Sequence, residues 1–145
     1  MKIVGIWMLI AIGVHGTGVV VRNRCSYAIQ VTVTDQQGGP NPFCFLQPNQ
    51  ACGTNYDTKL GLNFRNGYSA QSTEAEITIN GGDGNDYYDI SVIDGFNTPM
   101  KIEKTNGATI VCKDPNCPGA YHHPGEDWNT HGAPTGGQFT ITFCP

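Results

Sequence analysis

The chain is expected to fold as an all-β sandwich, and three observations lead there. No window of helix length places apolar residues at helical spacing. Short alternating runs of apolar and polar residues recur between turn signals, in a chain of 145 residues with 19 glycines and 9 prolines; such spacing marks a sandwich or barrel. Six cysteines follow an apolar leader, and an even number in that setting reads as a disulfide framework.

The leader is MKIVGIWMLIAIGVHG. It carries one lysine and an apolar run from Ile3 to Val14, too short for a comfortable membrane span and ending in small residues. We read residues 1–16 as a secretory signal peptide cleaved after Gly16, and residues 17–145 as one domain. The expected location is therefore extracellular. The mature length of about 130 residues suffices for a single core, and Cys25, Cys44, Cys52, Cys112, Cys117 and Cys144 all lie within it. Only Cys112 and Cys117 approach zinc-ligand spacing, so disulfides are the better reading. Their pairing stays open at this point.

The net charge is −4 and the sequence pI about 5.4. No basic stripe runs along the chain, which argues against nucleic acid and anionic membranes as partners. A neutral polysaccharide or a basic protein fits better. A monomer is expected. The chain has no N-x-Ser/Thr acceptor site.

In chain order, Val19–Val21 and Ala28–Val33 alternate, with Ile29, Val31 and Val33 on one face. They read as an antiparallel pair, or as one long strand kinked at Cys25. Asp35–Pro42, DQQGGPNP, reads as a turn. Phe43–Leu46 and Ala51–Thr54 flank Gln47–Gln50 and look like a hairpin whose arms Cys44 and Cys52 would bridge, for about 2–3 kcal/mol in the chain-entropy model. Leu60–Phe64 is a strand ending at Arg65, with Asn66-Gly67 as a turn. Ala75, Ile77 and Ile79 point inward, with Glu74, Glu76 and Thr78 outward. Tyr88, Ile90 and Val92 share a face in the next strand, opposite Tyr87, Asp89 and Ser91. Asp94-Gly95 turns the chain. Met100–Glu103 and Ala108–Val111 form a further hairpin. Cys112–Thr135 is irregular, and Gln138–Phe143 is a last alternating strand.

The chemistry concentrates in Ala75–Met100. Glu74, Glu76, Asp83, Asp86, Asp89 and Asp94 fall in or beside it, and no Lys or Arg lies between Arg65 and Lys101. Massed carboxylates without local counter-charge repel one another. Such repulsion should raise the pKa of at least one of Glu76, Asp89 and Asp94 and move the stability optimum to the acid side of neutrality. Gly81–Asp89, GGDGNDYYD, fits one copy of a calcium nonapeptide, but that motif works by stacking repeats. Tyr88 occupies the position where an EF-hand needs glycine. His122 and His123 with Glu126 and Asp127 read as solvated side chains before metal ligands. No cofactor or metal is expected, and no G-x-S-x-G elbow is present. Two carboxyls at glycosidase spacing would support sugar hydrolysis, and Glu76 and Asp89 are neighbours if their strands pair. The bland alternative is a solvated acidic face.

Four segments carry a family resemblance: VRNRCSYAIQVTV (Val21–Val33), DYYDISVIDGFNTPM (Asp86–Met100), CPGAY (Cys117–Tyr121) followed by His-Pro and Glu126-Asp127, and FTITFCP (Phe139–Pro145). They resemble the thaumatin-like (osmotin, pathogenesis-related group 5) proteins, in that family's order. The resemblance implies a β-sandwich of about ten or eleven strands, with Cys25–Cys144, Cys44–Cys52 and Cys112–Cys117 paired. It implies an acidic groove formed by Arg65, Glu76, Asp89, Asp94 and Glu126. Tyr87, Phe96 and Tyr121 are stacking candidates. Larger members carry a disulfide-rich second domain, whereas here only Lys101–Asn116 fills that gap and Tyr68–Thr73 replaces a Thr-Gly-Asp-Cys loop. The groove should therefore be open and shallow.

The first functional expectation is a secreted protein that binds β-1,3-glucan or related cell-wall polysaccharide, with a role in antifungal defence or host interaction. The second is a weak endo-β-1,3-glucanase, with Glu76 as acid and Asp94 as base. The third is an inhibitor of a secreted glycanase or a host-mimicking effector, acting through Cys112–Thr135.

Overall fold

In the computed structural model, residues 16–145 are described, so most of the expected signal peptide lies outside the described residues. Twelve strands follow in order: β1 (Thr17–Asn23), β2 (Ile29–Asp35), β3 (Gly38–Leu46), β4 (Ala51–Tyr56), β5 (Leu60–Asn66), β6 (Glu74–Ile79), β7 (Asn85–Ser91), β8 (Met100–Lys104), β9 (Ile110–Cys112), β10 (Ala120–Tyr121), β11 (His131–Pro134) and β12 (Gln138–Phe143). A five-stranded sheet runs β4-β1-β12-β8-β9. A seven-stranded sheet runs β10-β7-β6-β5-β2-β3, with β11 also on β7. The two sheets form the expected sandwich.

The inner faces follow from the alternation. Val19, Val21, Met100, Ile102, Phe139, Ile141 and Phe143 line the smaller sheet; Ile29, Val31, Phe64, Ala75, Ile77, Ile79, Tyr88 and Ile90 line the larger, all essentially inaccessible. Burying each large side chain stabilises the fold by about 1.5–3 kcal/mol relative to exposure. Tyr88 keeps its polar end satisfied by donating its hydroxyl to the Ala108 carbonyl at 2.5 Å.

Several local expectations are corrected. The runs around Cys25 are neither a strand pair nor one kinked strand: β1 and β2 belong to opposite sheets, and the chain crosses between them. Asn23 makes the crossing possible. Its buried amide donates to the Tyr27 and Leu46 carbonyls at 2.8 and 3.0 Å, and its Oδ1 accepts from the Cys25 N–H at 2.8 Å. Both runs carry one apolar face, and crossing lets those faces bury against each other. The second correction concerns β3 and β4, which also belong to opposite sheets, each as an edge strand. The Cys44–Cys52 bridge therefore fastens the two sheets together rather than closing a hairpin. The turn read over Asp35–Pro42 shrinks to Gln36-Gln37, because Pro40 and Pro42 are tolerated on an edge strand.

The other bridges pair as the resemblance implied, Cys25 with Cys144 and Cys112 with Cys117. The first closes a sequence separation of 119 residues, worth about 5 kcal/mol in the chain-entropy model. The segment read as irregular holds β10 and β11, which pair with opposite halves of β7. Asp86 turns inward, where its Oδ2 lies 3.7 Å from the Lys104 Nζ, both side chains fully buried. Thr17 donates to Asp86 at 2.7 Å and Thr135 at 3.0 Å, and so does the Asn80 N–H at 2.7 Å. Lys104 donates in turn to the carbonyls of Pro134 and Gly136, both at 2.8 Å. One of the acids that lacked a counter-charge in the sequence thus receives it from 18 residues downstream, across the sandwich.

Candidate functional site

The outer face of the seven-stranded sheet carries the carboxylates. Asn63 on β5 stands opposite Glu76 on β6, and Glu76 stands opposite Asp89 on β7. Adjacent strands lie about 4.8 Å apart, so the two carboxyls are direct neighbours and close enough to share a proton. One step along, Glu74 faces Ser91, and Ser91 faces Tyr121 of β10.

Glu74 points outward as expected, yet it is only 5% exposed. Arg65 covers it, with Nη2 at 2.9 Å from Oε2. That arginine is anchored through Nη1 to the Ser69 carbonyl at 3.1 Å. Its Nε is buried without a hydrogen-bond acceptor. Burial raises the Glu74 pKa, against the lowering influence of the Asn63 amide and the Arg65 guanidinium.

Asp89 is the most perturbed group. Burial first, then the hydrogen bond with Glu76 and the charges of Glu76 and Glu74, push its carboxyl up to about 9. Its Oδ1 is buried and receives no hydrogen bond, a setting that favours the neutral acid. At neutral pH the pair therefore presents a protonated donor beside an acceptor.

The remaining expected residues sit differently. Asp94 is exposed on the turn after β7, near enough to Glu74 to act on its charge. That turn is pinned by reciprocal bonds: the Thr73 N–H donates to Asn97 Oδ1 and the Asn97 N–H to Thr73 Oγ1, both at 3.2 Å. Gly95 at φ 152° completes it, since a Cβ there would lie 2.9 Å from the Gln71 backbone. Glu126 is drawn into its own loop, where Oε1 accepts the N–H groups of His122 and His123 at 2.7 and 2.8 Å. Those bonds lower its pKa, the His122 bond most. Arg65, Glu76 and Asp89 thus share one face, Asp94 borders it, and Glu126 is committed to a turn.

Of the stacking candidates, Phe96 packs against the core. The Tyr87 hydroxyl donates to Asp83, and its ring lies over Gly81 and Gly132, where a Cβ would approach it to 2.9 Å. Tyr121 bonds Thr130 through its hydroxyl. Sequence reasoning put Ser91 on the Asp89 face without giving it a role, and missed Asn63, whose alternation with Leu62 and Phe64 was the available signal. It also missed Tyr68 and Trp128, exposed at 54% and 73%; nothing in the sequence marked them as uncovered.

A disulfide-bonded β-sandwich with a carboxylate row on the outer face of its larger sheet is the class these observations define. Residues 22–118 match the Thaumatin family model, and the chain belongs to that family. It is 49% identical over 74 residues to thaumatin-like pathogenesis-related protein 2 of Avena sativa, covering 51% of this chain and 42% of that protein. It is 45% identical over 97 residues to thaumatin-like protein 1 of Prunus persica, covering 67% and 32% respectively. The chain thus spans less than half the length of the curated relatives it matches. Two solved structures share the fold. The thaumatin-like xylanase inhibitor TLXI superposes with TM-score 0.64 at 18% identity, covering 88% of this chain and 99% of that one. The protein elicitor MoHrip2 from Magnaporthe oryzae gives 0.69 at 17%, covering 89% and 99%. The described residues correspond to the small, single-domain form of the family, and they include no second disulfide-rich domain.

Proposed function

We propose that this is a secreted carbohydrate-binding protein with a role in defence or host interaction, recognising β-1,3-glucan or a related cell-wall polysaccharide through the acidic face. The observation that supports this most is the Glu76–Asp89 pair. With the pair's proton held between the two carboxyls, an oxygen of the pair remains to accept from a sugar hydroxyl. Asn63 extends the row with an amide, which carries both a donor and an acceptor. Relatives named as pathogenesis-related proteins support the defence setting. The test is co-sedimentation with insoluble β-1,3-glucan. Wild type is retained and Glu76→Gln is retained at least fivefold less; equal retention of the two, or none of either, rejects the reading.

A glucanase reading draws support from the raised Asp89 carboxyl, which suits a general acid. Its weakness is that Glu76 and Asp89 are hydrogen-bonded neighbours, leaving no space between them for substrate or water at either glycosidase spacing. Release of reducing ends from a soluble glucan, lost in Asp89→Asn, would establish it.

The protein-partner reading is favoured by Trp128, which stands exposed in the loop between β10 and β11. Exposed tryptophans are frequent interface anchors. A secreted glycanase captured by wild type and by Glu76→Gln, but not by Trp128→Ala, would support it over the glucan reading.

A further inference from the structure

The outer face of the five-stranded sheet holds a groove of about 470 Å³, lined by Arg22, Arg24, Lys101, Glu103, Thr140, Thr142 and Pro145. It lies on the opposite side of the sandwich from the carboxylate row. The fold builds it from distant segments. Arg22 on β1 stands opposite Thr142 on β12, and Thr142 opposite Lys101 on β8. Val20, Thr140 and Glu103 form the next row. Arg24 continues beyond β1, where its N–H donates to the Phe143 carbonyl at 2.9 Å.

The charge is concentrated there. Of the eight Lys and Arg, Lys2 belongs to the leader, and Arg65 and Lys104 are held in buried ion pairs. Three of the remaining five line this groove. Among the described residues, Arg22 and Arg24 form no ion pair. Lys101 pairs with Glu103 at 3.6 Å across partly exposed side chains, a contact worth little in water. Glu103 is the one acidic side chain in the lining.

We propose that this groove binds an acidic polysaccharide, a polyuronate chain. The cations stand on positions set out along the groove: the Arg22 and Lys101 backbones are two strand spacings apart, about 9.5 Å, and Arg24 follows just past the end of β1. A chain with repeated carboxylates can set one against each of the three, across the groove from β1 to β8. Between Arg22 and Lys101 lies Thr142, whose hydroxyl makes no side-chain hydrogen bond among the described residues. Thr140 accepts from Gln138 at 3.1 Å and retains its own proton to donate. Hydroxyls between cations match the alternation of hydroxyls and carboxylates on a uronate chain. A protein partner would need an aromatic or aliphatic anchor, and the lining provides none beyond Pro145.

The test is chromatography of the oxidised protein on immobilised polygalacturonate, poly-L-glutamate and neutral dextran. Wild type should be retained on polygalacturonate at about 50 mM salt. Three contacts at about −0.7 each in the log–log salt slope give an affinity loss of about 20-fold by about 200 mM. Arg22→Gln/Lys101→Gln should lose retention at the lower salt and keep the wild-type melting temperature, since both sites are on the surface. Lys113→Gln, outside the groove, should behave as wild type. No retention of wild type, equal retention of the double variant, or loss in Lys113→Gln overturns the proposal. Equal or stronger retention on poly-L-glutamate or dextran overturns the polyuronate assignment.

Discussion

Replacing Asp89 by asparagine tests the electrostatics of the acidic face directly. In the unfolded chain an aspartate titrates near its ordinary value, about 3.9; in the fold, burial and Glu76 push it to about 9. Between those values the folded protein holds a proton that the unfolded chain has lost. Stability then falls as pH rises, by at most about 1.4 kcal/mol per pH unit. The carboxyl is not fully sealed from water, so a working slope is about 0.5–1 kcal/mol per unit, or about 1.5–3 kcal/mol between pH 5 and 8. For a domain of this size that lowers Tm by about 5–12 °C over the window. Glu74, also raised by burial, adds in the same direction. Glu126 is lowered by its backbone bonds, so its contribution is lost only in acid below the window. The amide introduced by Asp89→Asn cannot titrate, and it can still donate to Glu76. The variant's Tm should therefore fall less with pH than wild type's, keeping only the Glu74 part of the slope, and exceed wild type at pH 8. Thermal melts at half-unit intervals would show this. Parallel curves for the two proteins would refute the shared-proton account.

Three further outcomes follow from the core. Asn23→Ala removes two donated bonds and one accepted bond at the crossing between sheets, and should destabilise by about 2–4 kcal/mol in denaturant melts; a loss below about 0.5 kcal/mol would contradict the role given to that side chain. Lys104→Met strands the buried Asp86 carboxylate and should cost about 3–5 kcal/mol, with at least half recovered when Asp86→Asn is added. Replacing the Cys44–Cys52 pair by serines should cost about 2.5 kcal/mol, and the Cys25–Cys144 pair about 5 kcal/mol; the reverse order would show that edge fastening outweighs loop closure.

The sequence made the strands of the larger sheet legible where alternation was clean. Ala75, Ile77 and Ile79 against Tyr88, Ile90 and Val92 already implied neighbouring strands, and with them the Glu76–Asp89 contact. Sheet membership was not legible. The β1 and β2 runs look alike whether they pair or face each other across the core, and what holds the crossing is tertiary: the Asn23 amide bonded to Leu46, the Arg24 N–H to Phe143 and the Cys25–Cys144 bridge. The 112–135 segment hid β10 and β11 because two- to four-residue strands rich in Gly and Pro carry almost no periodic signal. Counter-charges were hidden for a related reason. Lys104 reaches Asp86, and Arg22 aligns with Lys101, through tertiary register rather than sequence spacing. A chain without a basic run can therefore still fold into a cationic groove.

The strand order of the smaller sheet also bears on when the protein can fold. β12, which begins at Gln138, lies between β1 and β8. Until Gln138–Phe143 has been synthesised, β1 has a partner only in β4, β8 only in β9, and each bares an edge. Completion of that sheet waits for those residues, and its parallel β1–β12 pairing joins distant parts of the molecule. Such long-range closure is slow, and an open edge meanwhile invites pairing with other chains. Chains cut short before Gln138 should accumulate as aggregates rather than as partly functional domains.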